Sequence, residues 1–471
     1  MLKHLLLAST LLVATPAWAS DNSPGTAGED QAAATPQDRE AIRREIDDLK
    51  ARIGRLESSL DLPASDQKPA ASPASAPASP PLPASPTAGG NNLELYGFLQ
   101  LDAIQDFKRV NPNWDATLRP SRIPTQEGQF GGNGQSIFSV RQSRLGAKAA
   151  GTLAGKPYEA KFEFDLFGVG VDEGQTTMRV RHMYASWGPF LAGQTNSVFM
   201  DGDIFPNTID YWGPAGMAFT RNPQIRITPV NNEHWNVAVA LEHPSDDIDP
   251  GKIRVFDENI AANIQGNEQL PDLTAAIRYG GSWGHVRLAG LLRKIGYETR
   301  GTANNAPSGH KTGWGLDATS VINLSLATLR LGAVYGRGIA TYMNDGGMDL
   351  APAVSTIMQP PAIILVPRAE AVKLFGMSAY VDFNWSAKWT SSFGYSFTKV
   401  DNTNFQETTA FHKGDYASGN LLWHPAGNVF TGAELLWGKR TDNDGNTGED
   451  WRLQYSFHWD FTSKNIWSLF Q

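Results

Sequence analysis

The chain is 471 residues long, with 46 glycines, 14 tryptophans, 12 tyrosines, 22 phenylalanines, no cysteine and a formal net charge of −8. The missing cysteines exclude a disulfide framework, cysteine-ligated zinc and a lipoprotein anchor. A mean hydropathy of −0.33 and the lack of any apolar run of about 20 residues exclude a helical membrane protein, and the acidic balance argues against a nucleic-acid partner.

Residues 1–19 read as a secretory signal peptide. Lys3 supplies the positive start, Leu5 to Ala14 is apolar, and Ala17-Trp18-Ala19 is a small-x-small cleavage site ahead of Ser20. A helix follows over 38–61, in which Ile42, Ile46, Leu49, Ile53, Leu56 and Leu60 form a heptad seam. Glu45 with Lys50, and Arg52 with Glu57, flank it. A lone amphipathic helix is the alternative, because three heptads are marginal in water on their own. Residues 62–92 are a spacer. Eight prolines fall between Pro63 and Pro86 among alanines and serines, a composition that cannot build a core and stays extended.

From 93 to 461 the period changes to two. Leu93, Leu95, Leu99 and Leu101 alternate with Glu94, Tyr96, Gln100 and Asp102. Between Tyr158 and Leu166 the even positions are apolar, whereas Glu159, Lys161, Glu163 and Asp165 are charged. Near the end, Trp451, Leu453, Tyr455, Phe457, Trp459 and Phe461 alternate with polar residues. Such strands have one greasy and one wet face. Sixteen can be laid out, joined alternately by seven short turns and eight long connections. That asymmetry predicts an all-β, 16-stranded antiparallel transmembrane barrel, closed because lipid tolerates no open sheet edge. Trp187, Trp283, Trp314, Trp385, Trp423 and Trp437 stand at strand ends, as interfacial girdles require; ordinary core aromatics are the alternative. Residues 462–471, with Trp467, Leu469 and Phe470, remain as a tail.

Several segments carry a resemblance. They include Leu95-Tyr96-Gly97-Phe98, Arg141-Gln142-Ser143-Arg144-Leu145-Gly146, Arg179-Val180-Arg181-His182-Met183-Tyr184, Trp212-Gly213-Pro214, Arg221-Asn222-Pro223-Gln224-Ile225-Arg226 and Glu434-Leu435-Leu436-Trp437-Gly438. In this order the chain resembles the DcaP-like outer-membrane porins along its whole length. The resemblance implies a homotrimeric channel in the bacterial outer membrane, with the N-terminal coiled coil in the periplasm. It also implies uptake of small anions such as dicarboxylates. The tail beyond Phe461 departs from the family pattern.

With the apolar parity turned to lipid, the polar parity carries a set of cations into the lumen. The expected pore-lining residues are Arg144, Lys148, Arg179, Arg181, Arg221, Arg226, Arg278, Arg287, Arg293 and Arg330. Guanidinium groups in a water-filled lumen favour anions. In the alternative, each pairs with a lumen acid such as Glu159, Glu163 or Asp165. The parities of Arg141 and Arg144 conflict, so the second strand needs a bulge or frame change.

The connection from Val198 to Thr220 has Asp201, Asp203 and Asp210 but no cation, together with Tyr211 and Trp212. It is the candidate constriction loop, folded against the basic wall; a solvated outer loop is the alternative. Its spacing does not fit a calcium-binding EF-hand loop. The apolar run Pro360–Pro367, within the connection 339–370, needs burial at a subunit contact or in the vestibule.

The expected function is a passive porin for small anionic solutes, with no catalytic residue, cofactor or metal. A general or sugar-type diffusion porin is the alternative. A barrel hydrolase would need a nucleophile–His pair, but His182, His285, His424 and His458 lie on separate strands beside no nucleophile motif. A structural protein that uses the helix and tether to engage peptidoglycan is compatible with a channel.

Overall fold

The computed structural model describes residues 92–359 and 362–464. The signal peptide, the heptad helix with its six core residues, the spacer up to residue 91 and the tail from 465 lie outside the described residues.

Sixteen antiparallel strands close into a barrel. They are β1 (Asn92–Asp106), β2 (Gln135–Ser139 and Arg144–Leu153), β3 (Lys156–Phe167), β4 (Thr176–Trp187), β5 (Phe190–Asn196), β6 (Arg221–Asn231), β7 (Trp235–Glu242) and β8 (Asp272–Gly281). The second half comprises β9 (Gly284–Thr299), β10 (Gly309–Asn323), β11 (Ala327–Arg337), β12 (Lys373–Ser386), β13 (Trp389–Asp401), β14 (Phe411–Ala426), β15 (Val429–Asp442) and β16 (Thr447–Thr462). Each strand pairs with its neighbours in sequence, and β16 returns to β1, from Tyr96 opposite Thr462 to Asp106 opposite Arg452. A three-residue piece, Ile264–Gly266, extends the sheet beside the outer end of β9.

The seven turns at one end hold two or three residues, and the eight connections at the other hold four to thirty-five. The burial pattern is inverted relative to a soluble protein. Leu99, Leu101, Leu145, Ile225, Leu273, Tyr455 and Phe457 are exposed on the outer face, while Asp102, Asp106, Glu163, Asp165 and Arg452 are buried on the inner one. Hydrocarbon is the medium that makes this arrangement favourable. Trp187, Trp235, Trp283, Trp385, Trp389 and Trp423 are exposed at the short-turn end; Trp314 and Trp451 are exposed at the other, where Trp437 pairs across to Trp451.

The frame conflict in the second strand has a structural cause. β2 breaks over residues 140–143. Arg141 turns inward there, its guanidinium 4.0 Å from the Phe167 ring and donating to the Gly168 carbonyl at 3.3 Å. In the longest connection, Leu350–Gln359 pairs with Ala362–Ala371 as a separate hairpin, and Val366 in it is exposed.

Candidate functional site

Three connections dip into the barrel. From 107–134 come Val110, Trp114, Leu118 and Ile123, all buried. From 197–220 come Phe199, Met200, Ile204, Ile209, Ala215 and Met217, exposed by no more than 4 %. From 338–372 come Ile339, Tyr342, Met343, Asn344 and Asp345. The sequence expectation named the second as the inserted loop and offered the vestibule only as one of two places for the apolar run of the third; the first and the buried part of the third have apolar residues at irregular spacing, which no periodicity reveals.

The 197–220 segment is held at both roots by one carboxylate. Glu242 on β7 accepts from Ser197 Oγ at 3.0 Å, Val198 N at 2.8 Å and Asn222 Nδ2 at 3.2 Å. Along the segment, His285 Nε2 lies 2.8 Å from Asp201, and Thr319 donates to the same oxygen at 2.6 Å. Arg278 pairs with Asp203 at 2.6 Å. Arg287 donates to the Val198 carbonyl and Arg330 to the Asp203 carbonyl. Among the described residues Asp210 meets no cation at hydrogen-bond distance. It accepts from Thr117 Oγ1, Leu118 N, Gly213 N and Tyr416 OH, so it stitches the first inward connection to the second. Gly216 lies flat on the wall, where a Cβ would come within 2.3 Å of the Met377 and Phe397 carbonyl oxygens.

Asp201, Asp203 and His285 come close enough to share a metal ion. A guanidinium already serves there: Arg278 reaches Asp203 and, at 3.0 Å, His285 Nδ1. Of the histidines considered for a hydrolase, the remaining three are also buried, with His182 on Thr195, His424 on Thr390, and His458 on Gln100 and Asp460.

The basic wall lies opposite the segment's tip. Glu163 and Asp165 on β3 face Arg144 on β2, Lys161 on β3, and Arg179 and Arg181 on β4. Arg144 and Lys161 lie 3.6 and 3.2 Å from Glu163. Arg179 lies 2.7 Å from Asp165, and Arg181 bridges Glu163 at 3.1 Å and Asp165 at 2.8 Å. Arg221, beside them, forms no hydrogen bond or ion pair among the described residues; its Nε is buried and unpartnered, and its guanidinium lies 4.7 Å from the Phe219 ring. Four cations thus share two carboxylates, and Arg221 stands beside them as a fifth without an acid partner among the described residues. Of the two sequence expectations, a net-basic wall and pairing with lumen acids, the pairing is seen for Arg144, Lys148, Arg179 and Arg181, while cations outnumber acids around Glu163 and Asp165. Lys161, which the alternation places on the same charged face as Glu163, joins the expected pore-lining cations.

The remaining expected cations differ in role. Lys148 pairs with Glu159 at 3.0 Å. Arg226 donates to Gln224 Oε1 and the Asn196 carbonyl and has no ion pair among the described residues. Arg330 pairs with Asp382 at 2.5 Å. Arg293 does not line the pore. Its side chain is wholly inaccessible, ringed by Asp246, Asp272 and Asp349 at 2.9, 3.2 and 3.2 Å. Strand parity sends it inward, but connections 243–271 and 338–372 close over it.

Tyr211 joins tip to wall. Its hydroxyl donates to Asp165 at 2.7 Å and accepts from Arg181 Nη1 at 2.9 Å, and its ring stacks on Phe167 at 4.1 Å. Trp212 lies on the other side, and the Arg119 guanidinium sits 4.1 Å from the Trp114 ring and 4.2 Å from the Trp212 ring while paired with Asp345 at 3.0 Å. Two cavities flank this point. Tyr211, Phe219 and Arg221 line an inner one of about 360 Å³; their neighbours Trp212, Thr220 and Asn222 line an outer one of about 690 Å³. The chain between them is the divide.

Comparison with known proteins gives a consistent answer. The family model described as DcaP outer membrane protein matches residues 29–335. The fold is similar to the crystal structure of the outer membrane channel DcaP of Acinetobacter baumannii, with TM-score 0.63 and 21% sequence identity over 80% of this chain and 99% of that one. It is also similar to an anion-selective porin from Comamonas acidovorans, with TM-score 0.51 and 9% identity over 79% of this chain and 100% of that one. A comparison with curated proteins finds no match.

Proposed function

The chain belongs to the DcaP outer membrane protein family and is an outer-membrane porin, and from that premise we propose that it is a passive channel preferring small anions, dicarboxylates among them. The observation that carries this reading is the surplus at the divide between the cavities, where, among the described residues, Arg144, Lys161, Arg179 and Arg181 form ion pairs only with Glu163 and Asp165, and Arg221 forms none. In a narrow, low-dielectric passage such an excess focuses the field and concentrates counter-ions. Guanidinium groups suit carboxylates because they offer paired, planar donors. A dianion matches a surplus of more than one charge better than a monoanion does.

In this reading Arg221 is the first contact for a solute carboxylate, since no acceptor among the described residues engages its side chain. Arg226 extends the basic surface along the wall, while Lys148 is balanced by Glu159. Asp201, Asp203, Tyr211 and Trp212 narrow the passage from the opposite side, and Asp210 holds the tip in shape. Chains assemble as a homotrimer in outer-membrane lipid, with the N-terminal segment in the periplasm. Solutes cross without turnover or cofactor.

A second reading, a sugar-type diffusion porin, is favoured by the aromatic lining of the inner cavity, where Phe98, Phe205, Phe219 and Phe430 gather. Swelling of protein-loaded liposomes separates the two. The anion reading expects succinate to enter faster than a neutral sugar of equal size, and Arg221→Ala to slow succinate more. Faster sugar entry, with no selective effect of that substitution, would favour the second reading.

A further inference from the structure

The tip of the inward segment is gripped from behind by a carboxylate with no place in the solute path. Glu434 on β15 is fully buried. Its Oε2 accepts from the backbone N–H of Ile209 at 2.5 Å and from Asn420 Nδ2 at 3.0 Å. The same Asn420 nitrogen donates to the Asn207 carbonyl at 2.6 Å. The opposite edge of the Ile209 residue is also taken: its carbonyl accepts from Gln142 Nε2 at 3.0 Å and Gln454 Nε2 at 3.4 Å. Both glutamines are held by Asp102, at 2.8 and 3.1 Å. Among the described residues no lysine or arginine pairs with Glu434 or Asp102, so neither carboxylate serves the basic wall.

We infer that Glu434 is a positioning residue for the constriction: by fixing the Ile209 backbone, it sets Tyr211, two residues on, against Asp165 and Arg181. A buried N–H left without an acceptor is costly, so the tip would leave its seat if the acceptor were removed. The passage at Tyr211 would widen and its field would weaken. Asp102 acts in the same sense through Gln142 and Gln454. This inference rests on the reading of the divide as the selective point of an anion channel.

The test is a double-mutant cycle read by single-channel conductance and by the anion-to-cation permeability ratio in planar bilayers. Glu434→Leu removes the acceptor and keeps the volume; Glu434→Gln keeps an acceptor; Tyr211→Phe removes the far contact. Glu434→Leu and Tyr211→Phe are each expected to raise conductance and lower anion preference by about twofold or more, the lower end for coupled neighbours. The double variant is expected to match the single ones, and Glu434→Gln to match the parent. Additive effects, or a Glu434→Gln channel that behaves like Glu434→Leu, would overturn the inference. If Glu434→Leu does not yield folded barrels, Asn420→Ala tests the same grip and is expected to act in the same direction; no change in it would also overturn the inference. A parent channel that prefers cations would reject the anion reading alone, since the coupling in conductance would still be measurable.

Discussion

Tyr211 and Asp165 join an inward-folded connection to the barrel wall through a 2.7 Å hydrogen bond, and the same hydroxyl accepts from Arg181. The bond matters because it sits where the two cavities meet. The tip is therefore fixed on the side of the solute as well as from behind.

Removing that hydroxyl is the first prediction. Tyr211→Phe keeps the ring on Phe167 but frees the tip from Asp165 and Arg181. Single-channel conductance is expected to rise and anion preference to fall, with the barrel still folded. Unchanged conductance in planar bilayers would show that Tyr211 does not narrow the passage.

Arg221 and Arg293 are expected to part company. Arg221→Ala removes an unpartnered cation, so it should lower anion permeation with little effect on unfolding. Arg293→Ala leaves Asp246, Asp272 and Asp349 buried without their cation, a loss of about 3–5 kcal/mol for a broken buried pair. Its permeability ratio should stay at the parent value. Urea unfolding in lipid, followed beside bilayer recordings, checks both halves.

Glu242 holds the two roots of the inward segment together. Glu242→Ala leaves buried donors on Ser197, Val198 and Thr274 unpaired, each costing about 1–3 kcal/mol if it finds no other partner. The segment should loosen at its base, so bulky solutes should enter faster in liposome swelling. A size cut-off equal to the parent's would show that the wall arginines suffice to hold it.

The lipid face has its own test. Leu99 projects outward from β1 and is exposed. Leu99→Arg should destabilise the barrel by up to about 2–4 kcal/mol, depending on its depth in the bilayer, which equilibrium unfolding from lipid vesicles would measure. A neutral result would place Leu99 against protein or water instead.

Much of the barrel is legible in the chain because parity and turn length are local properties. The alternation in Tyr158–Leu166 places Glu163 and Asp165 inside, and the conflict between Arg141 and Arg144 marks the break in β2. Depth and pairing are not local. Arg293 has the right parity for the lumen, yet two outer connections bury it. Lys161 is visible as a charge on the same face as Glu163, but standing among acids it does not read as part of a basic wall; its ion pair with Glu163 is what places it there. Glu434 carries no local sign of its role, because the Ile209 backbone it holds lies many strands away, and Glu242 carries none because its partners Ser197 and Val198 belong to a connection whose inward path is not a local property. The inward course of 107–134 and 338–349 leaves no periodic trace, since irregular segments bury whichever apolar residues reach the core.

The most direct measurement is the zero-current potential of the full-length channel in a planar bilayer under a potassium chloride gradient. The surplus of cations around Glu163 and Asp165 predicts a potential of the sign set by chloride, shrinking as salt screens the wall. A potential of the sign set by potassium would contradict the account.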